Sequence, residues 1–278
     1  MIVYFNGHFI PKEQVRISPD DRGFLFADGA YEVIRSYGGR LFRLDDHLAR
    51  MGRSLRHLHI VAPDVRSFGG IAEELIRVNH PGEGDASLYI QVTRGAAPRR
   101  HTFPDGGSPP TIYACAAPLR PSPERWERGV KVVLVPDIRW TRCDIKSVAL
   151  LPNVLASQRA AENGAYEAVF VRDGAVTEGS HTNVCAVVDG RLVTHPRTHH
   201  ILAGVTRQVV LELCGQLDIS VQESPILETR LQDVDEFLLL GTSTEVMPVV
   251  RVDGWQVGDG VPGPITRRLQ RAFRDLTR

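Results

Sequence analysis

Lysine is nearly missing from this chain. Of its 33 basic residues only Lys12, Lys131 and Lys146 are lysines, leaving thirty arginines. Chemistry that needs a primary amine therefore has few places to occur, because a guanidinium stays protonated and does not condense with a carbonyl. Cysteine is scarce as well. Cys115, Cys143, Cys185 and Cys214 stand far apart and form neither a Cys-x-x-Cys pair nor a zinc spacing, so reduced thiols are expected and no metal site. Net charge is absent, since 33 acidic residues balance the 33 basic ones. The basic residues are scattered, which leaves no electrostatic footprint for nucleic acid or an anionic membrane and points to a small-molecule partner. No apolar run approaches the roughly 20 residues that span a bilayer. The start, MIVYFNGHFIPKE, lacks a basic region followed by a long apolar one, so a cytoplasmic protein is expected. Internal repeats and low-complexity segments are missing too.

What is present reads as two domains, and 278 residues suffice for both to bury a core. Residues 1–117 read as a small N-terminal α+β domain. Alternation through Ile2 and Tyr4, a turn at Asn6-Gly7 and Phe9-Ile10 predict a hairpin. Asp20-Asp21-Arg22-Gly23 breaks the pattern, and a strand follows over Tyr31–Tyr37, turning at Gly38-Gly39. Leu44, Leu48, Met51, Leu55 and Leu58 then step by four and three, which predicts an amphipathic helix with His47 and Arg50 on one flank. A second helix over Ile71–Val78 should end at Asn79-His80-Pro81, before strands over 87–93 and 111–116.

Residues 118–129, PLRPSPERWERG from Pro118 to Gly129, carry three prolines and many charges without periodicity, as an interdomain linker does. Residues 130–278 read as a larger C-terminal domain carrying Lys146. A strand over Val130–Val135 leads through the Lys146 stretch into a helix over Val154–Asn163, with Asn153 as N-cap and Gly164 as stop. Asp173-Gly174 and Asp189-Gly190 mark hairpins, and Gly204-Val205-Thr206 starts a helix reaching about Leu217. A buried strand over Glu236–Leu240 runs into the polar turn from Gly241 to Glu245. The chain closes on a basic amphipathic helix with Leu269 and Phe273 inward.

Lys12 sits in a Pro-Lys-Glu turn and Lys131 opens an apolar strand, so both read as solvated element ends. Lys146, in DIRWTRCDIKS, is flanked by Trp140, Cys143 and Ile145 and by Val148-Ala149-Leu150-Leu151. From these residues alone a buried lysine without catalytic role stays an open alternative. Equally, Glu178 alone is a charged strand end, Arg50 a solvated helix arginine, Thr206 a cap and Arg99 part of an exposed basic loop.

Several stretches taken together resemble one family. DRGFLFADGAYEV, the His47-x-x-Arg50 helix, VTRGAAPRRHTFP, DIRWTRCDIKS, VTEGSHTN, ILAGVTR and GTSTEVMPV occur in the order and spacing of the fold type IV pyridoxal-phosphate enzymes. The resemblance runs from about residue 20 to 255 and is closest to the D-amino acid aminotransferases. It implies a two-domain α+β / α/β fold, pyridoxal 5'-phosphate as cofactor and a homodimer.

The resemblance also implies a role for each matching residue. Lys146 is the amine that holds the cofactor's aldehyde and then moves the proton at the substrate α-carbon. Glu178 is the partner of the ring nitrogen. Val205 and Thr206 at a helix start, Arg50 and Thr242 hold the phosphate, and Leu202 packs on the ring. Tyr31, Arg99 and His101 trap the substrate carboxylate, the loop with Arg99 and His101 serving the other subunit's site. The implied reaction passes the amino group of a D-amino acid such as D-alanine to a 2-oxo acid such as 2-oxoglutarate. Arg100 and His181 depart from the closest relatives. Leu151 stands where branched-chain L-aminotransferases carry tyrosine, and the Lys-x-x-Asn-Arg pattern of aminodeoxychorismate lyases is missing. Both families, and (R)-amine transaminases, are the alternatives.

Overall fold

A computed structural model describes residues 1–79 and 84–278. Its contacts divide the chain into Met1–Arg120 with Ile145–Leu150, and Pro121–Asp144 with Leu151–Arg278.

The first unit begins with β1 (Ile2–Phe5) and β2 (His8–Pro11), joined at Asn6-Gly7, where both residues take positive φ (45° and 98°) as a two-residue hairpin turn requires. A short helix, α1 (Arg22–Phe26), occupies the segment expected only to break the pattern; the Asp21 side chain caps it by accepting the Gly23 N–H at 2.8 Å. Then come β3 (Gly29–Tyr37), β4 (Arg40–Leu41), α2 (Leu44–His57), α3 (Ser67–Asn79), β5 (Ala86–Thr93) and β6 (Thr111–Pro118). The strands form one antiparallel sheet ordered β2-β1-β6-β5-β3-β4. α2 forms where the apolar spacing predicts it, with Asp45 and Asp46 in its first turn and Arg56 and His57 in its last, each sign at the favourable end of the helix dipole. Leu48, Met51 and Leu55 of α2 and Phe68, Ala72 and Leu75 of α3 cover Ile34, Leu88 and Ile90 of the sheet. Each such buried side chain stabilises the unit by roughly 1.5–3 kcal/mol. α3 starts four residues before Ile71, and its expected stop at His80-Pro81 lies outside the described residues.

Gly95 combines a left-handed backbone with a close approach to another segment. Gly95, two residues past the end of β5, has φ +89°, and a Cβ there would stand 2.0 Å from the Pro109 carbonyl oxygen. Gly95→Ala should therefore destabilise the protein by about 2–4 kcal/mol, combining left-handed backbone strain with a clash against backbone. Thermal unfolding should show a fall in Tm of at least about 5 °C. A Tm within a degree of the parent would show that the loop relaxes without cost.

The second unit begins inside the stretch that the sequence suggests is a linker. Pro123–Arg128 is a helix, α4, with proline at its first position, where the missing N–H costs nothing. Trp126 docks it by donating its indole N–H to the Thr244 carbonyl at 2.9 Å. β7 (Val130–Pro136) follows, then α5 (Leu151–Glu162), β8 (Glu167–Arg172), β9 (Ala175–Gly179), β10 (Asn183–Val188) and β11 (Arg191–Thr194). α6 (Val205–Gln216), β12 (Val221–Glu223), β13 (Ile226–Leu227), β14 (Glu236–Gly241), β15 (Glu245–Val252), β16 (Trp255–Gln256) and α7 (Pro264–Thr277) complete it. The sheet runs β12-β11-β10-β14-β15-β7-β8-β9-β13, with β16 beside β15. The pairs β15–β7, β7–β8 and β11–β12 are parallel. On one side Ala156 and Ala160 of α5 pack on Val133, Val135 and Phe170. Leu269 and Phe273 of α7 are buried, and the Glu236 carboxylate caps this helix through the N–H groups of Ile265 (2.9 Å) and Thr266 (2.7 Å).

Two expectations about helix and domain limits change. α5 starts at Leu151, so Asn153 lies inside it, and its amide donates to the Ser180 carbonyl at 2.7 Å instead of capping. Ile145–Leu150 groups with the first unit, not with the C-terminal residues around it, because its backbone pairs with β3. Among the described residues no helix is long and apolar enough to cross a membrane.

Candidate active site

In the first unit the stretch around Lys146 is stitched to β3 and α2 by its backbone. The Lys146 carbonyl accepts the Tyr31 N–H at 3.1 Å, Val148 N–H donates to the Gly29 carbonyl at 3.0 Å, and Lys146 N–H donates to Ser54 Oγ at 3.1 Å. These bonds fix the lysine's main chain, so only the four-carbon stem of the half-buried side chain is left to move. Its Nζ stands 4.3 Å from the centroid of the Tyr31 ring, within cation–π range. Tyr31 in turn stacks on Tyr89 with centroids 5.7 Å apart.

Beside Tyr31, Glu32 is completely buried on the face of β3 that also carries Ala30 and Ile34. Arg50 grips it with two parallel bonds, Nε to Oε1 at 2.7 Å and Nη2 to Oε2 at 2.8 Å, and His47 Nδ1 is 2.9 Å from Oε2. Burial alone would raise the Glu32 carboxyl, but the Arg50 charge and the bonds from Arg50 and His47 hold it far below the ordinary range. Burial lowers His47, so its ring is neutral at pH 7 and, in the tautomer assigned from this bond, donates from Nδ1 to Glu32. Sequence reasoning passed over Glu32 and Ser54. The available signal was a glutamate at an inward strand position facing a helix that carries histidine and arginine three residues apart.

In the second unit Glu178 ends β9, buried. Its Oε1 accepts from Arg139 Nη1, and its Oε2 from Leu202 N–H at 2.9 Å and Asn183 Nδ2 at 3.2 Å. Arg139 is itself clamped by Asp137, through Nε at 2.9 Å and Nη2 at 2.8 Å, and lies over the Phe170 ring at 4.3 Å. Burial raises the Glu178 carboxyl above its ordinary value, and the opposing pull of Arg139 does not cancel it. Asn183 also donates to the Leu202 carbonyl at 2.8 Å, which ties the carboxylate to the entry of α6. At that entry Gly204 approaches Asn183 so closely that a Cβ would meet its Oδ1 at 2.0 Å. No side chain caps α6 and no acid lies in its first turn. Val205 and Thr206 are buried there, and Thr242 is half-buried in the turn between β14 and β15.

Arg99 and His101 are exposed; the Arg99 guanidinium lies 5.3 Å from the Phe26 ring and the His101 ring 5.5 Å from it. Arg100 is exposed beside them. His181 is half exposed, with Nδ1 3.2 Å from the fully buried Glu167, which also accepts the His181 N–H at 2.7 Å. Leu151 opens α5 and is exposed.

The donor set fits a phosphorylated pyridine aldehyde. A carboxylate has about four acceptor positions, and Glu178 uses three, which leaves one for a ring N–H. The uncapped start of α6 offers backbone N–H groups and the positive end of a helix dipole to a phosphate.

Each unit is a layered structure of sheet and helices; the first carries the half-buried Lys146 and the second the buried Glu178. The sequence pattern of the amino-transferase class IV family matches residues 29–252. The chain belongs to that family, the pyridoxal-phosphate-dependent aminotransferases of fold type IV. It is 42% identical over 272 residues to the D-alanine aminotransferase of Staphylococcus haemolyticus, covering 98% of this chain and 96% of that one. To the D-alanine aminotransferase of Bacillus licheniformis it is 39% identical over 276 residues, covering 99% and 96%. Among solved structures, the branched-chain amino acid aminotransferase of Escherichia coli superposes with a TM-score of 0.92 at 26% identity, over 99% of this chain and 94% of that chain.

Proposed function

We propose that the protein is a D-amino acid transaminase that moves the amino group of a D-amino acid such as D-alanine to a 2-oxo acid such as 2-oxoglutarate, in two half-reactions, as a cytoplasmic homodimer. The observation that carries this reading is the identity of 42% and 39% to two D-alanine aminotransferases over nearly the whole chain, against 26% to the branched-chain enzyme. When bound, pyridoxal phosphate supplies an aldehyde for the amino group and a ring that accepts negative charge from the α-carbon.

The chain's own residues do the rest. Lys146 Nζ would hold the cofactor through its aldehyde and would carry the substrate α-proton. Glu178 would accept the ring N–H and would keep that nitrogen cationic. The first amides of α6 at Val205 and Thr206, with Thr242, take the phosphate, and Leu202 packs on the ring. Arg50, oriented by the buried Glu32, adds a positive charge for the phosphate. Tyr31, Arg99 and His101 hold the substrate carboxylate, the exposed Arg99 and His101 serving the site of a second subunit.

Stepwise addition of single D- and L-amino acids to the cofactor-loaded protein tests this. D-alanine should remove the bound cofactor's visible absorbance at micromolar to millimolar concentrations, and L-valine and L-leucine should leave it. The reverse order would establish a branched-chain L-aminotransferase, the reading favoured by the TM-score of 0.92.

A further inference from the structure

Arg22 is buried, yet no step described above uses it. Its guanidinium is spread across the loop that bears Arg99 and His101. Nη1 donates to the carbonyls of Arg100 at 2.6 Å and Thr102 at 3.3 Å, and Nη2 donates to the carbonyl of His101 at 3.4 Å. On its other edge Nε donates to Asp28 at 2.9 Å. Asp28 is fixed in turn by Arg94, through Nε at 2.7 Å and Nη2 at 2.9 Å, and Arg94 reaches back to the carbonyls of Leu58 and His59. Burial would raise the Asp28 carboxyl, but the two arginines keep it below its ordinary value and therefore ionised.

The backbone of Arg22 is held as firmly as its tip. The Arg22 N–H donates to the Gly95 carbonyl at 2.9 Å, and the Arg22 carbonyl accepts the Asp28 N–H at 3.2 Å. A planar fork that is fixed at its base and ionically braced on one edge presents its other N–H groups in one plane, and three successive carbonyls of an exposed loop end on them. Exposed loops otherwise have few internal restraints. Here the restraint falls on Arg100, His101 and Thr102, which include and adjoin the residues assigned to the substrate carboxylate.

We infer that Arg22, braced by Asp28, is the positioning residue that sets the conformation of the Arg99–Thr102 loop and thereby the affinity for the substrate carboxylate. Its second part rests on the proposed role of Arg99 and His101; its first part does not. Positioning errors of the order of 1 Å cost about a hundredfold in well-aligned sites, so a loosened loop should act on carboxylate capture first.

The test uses the cofactor-loaded protein and the variants Arg22→Gln, Arg22→Lys and Arg99→Ala. Brief trypsin treatment, with cleavage after Arg99 and Arg100 read by mass spectrometry, should proceed about tenfold faster or more in Arg22→Gln, because cleavage needs the loop to open. KM for D-alanine should rise about tenfold in Arg22→Gln and in Arg99→Ala, with kcat for Arg22→Gln within about threefold and the bound cofactor's absorbance unchanged. Arg22→Lys keeps the charge opposite Asp28 but loses the fork, so it should fall between; it also carries the test if Arg22→Gln does not retain its cofactor. Unchanged cleavage in both Arg22 variants overturns the inference, and so does an unchanged KM in them where Arg99→Ala raises it. If Arg99→Ala leaves KM unchanged, the carboxylate role of Arg99 falls, and the cleavage rates alone decide whether Arg22 fixes the loop.

Discussion

Lys146→Ala should lose at least about ten thousandfold in transamination, the largest effect expected of any single substitution here, because the same amine both holds the cofactor and moves the proton. Borohydride reduction of the yellow parent protein should leave its tag on the peptide containing residue 146, and the variant should take none. The other two lysines are poorly placed for this work. Lys131 Nζ donates to the Asn163 carbonyl at 3.1 Å, and Lys12 is exposed in a turn beside β2. Lys146 has both its N–H and its carbonyl bonded and its Nζ against an aromatic face. Arginine at 146 should be as inactive as alanine, since it keeps a positive charge and the length but cannot condense with the aldehyde. A tag recovered on Lys12 or Lys131, or a variant within tenfold of the parent, would remove the basis of the mechanism.

That lysine stands out in the sequence because it is chemically rare, and the elements around it are legible because their signals are local. α2 follows from leucines and a methionine spaced by four and three, and the hairpins follow from Asp-Gly pairs. Asp173 and Asp189 take φ near 50° with Gly174 and Gly190 at 73°, as such turns demand. What stayed hidden depends on partners far along the chain. α4 has little apolar pattern of its own, and it is fixed by Trp126 bonding 118 residues away to Thr244. α5 begins three residues early because Pro152 suits a first turn and Asn153 has a partner at Ser180. Glu32 and Asp137 read as ordinary strand and loop acids, and only the fold shows each buried against an arginine. The segment Ile145–Leu150 is the sharpest case: its neighbours in sequence belong to one unit and its hydrogen bonds to the other.

Glu178→Gln should keep the cofactor bound while kcat falls about a hundredfold to a thousandfold, the range expected when one preorganised charge is removed from beside developing charge. The amide preserves the shape but cannot hold the ring nitrogen cationic, and its NH2 group faces donors from Arg139, Leu202 or Asn183. KM should change far less, because the substrate does not touch this side chain. The same carboxylate gives a second, cofactor-free measurement. Burial raises its folded-state pKa above the ordinary 4.5, so it binds a proton more tightly folded than unfolded. The sign of the linkage follows: its contribution to stability is fully present below pH 4.5 and is lost as pH rises through the raised value. The Tm of the cofactor-free parent, measured relative to that of cofactor-free Glu178→Gln, should therefore decline as pH climbs above 4.5, and adding cofactor should reverse the decline by placing a cation opposite the acid. A Tm difference that is flat with pH would show that Arg139 already neutralises the buried charge, and the acid would then have no need of a cationic ring to face.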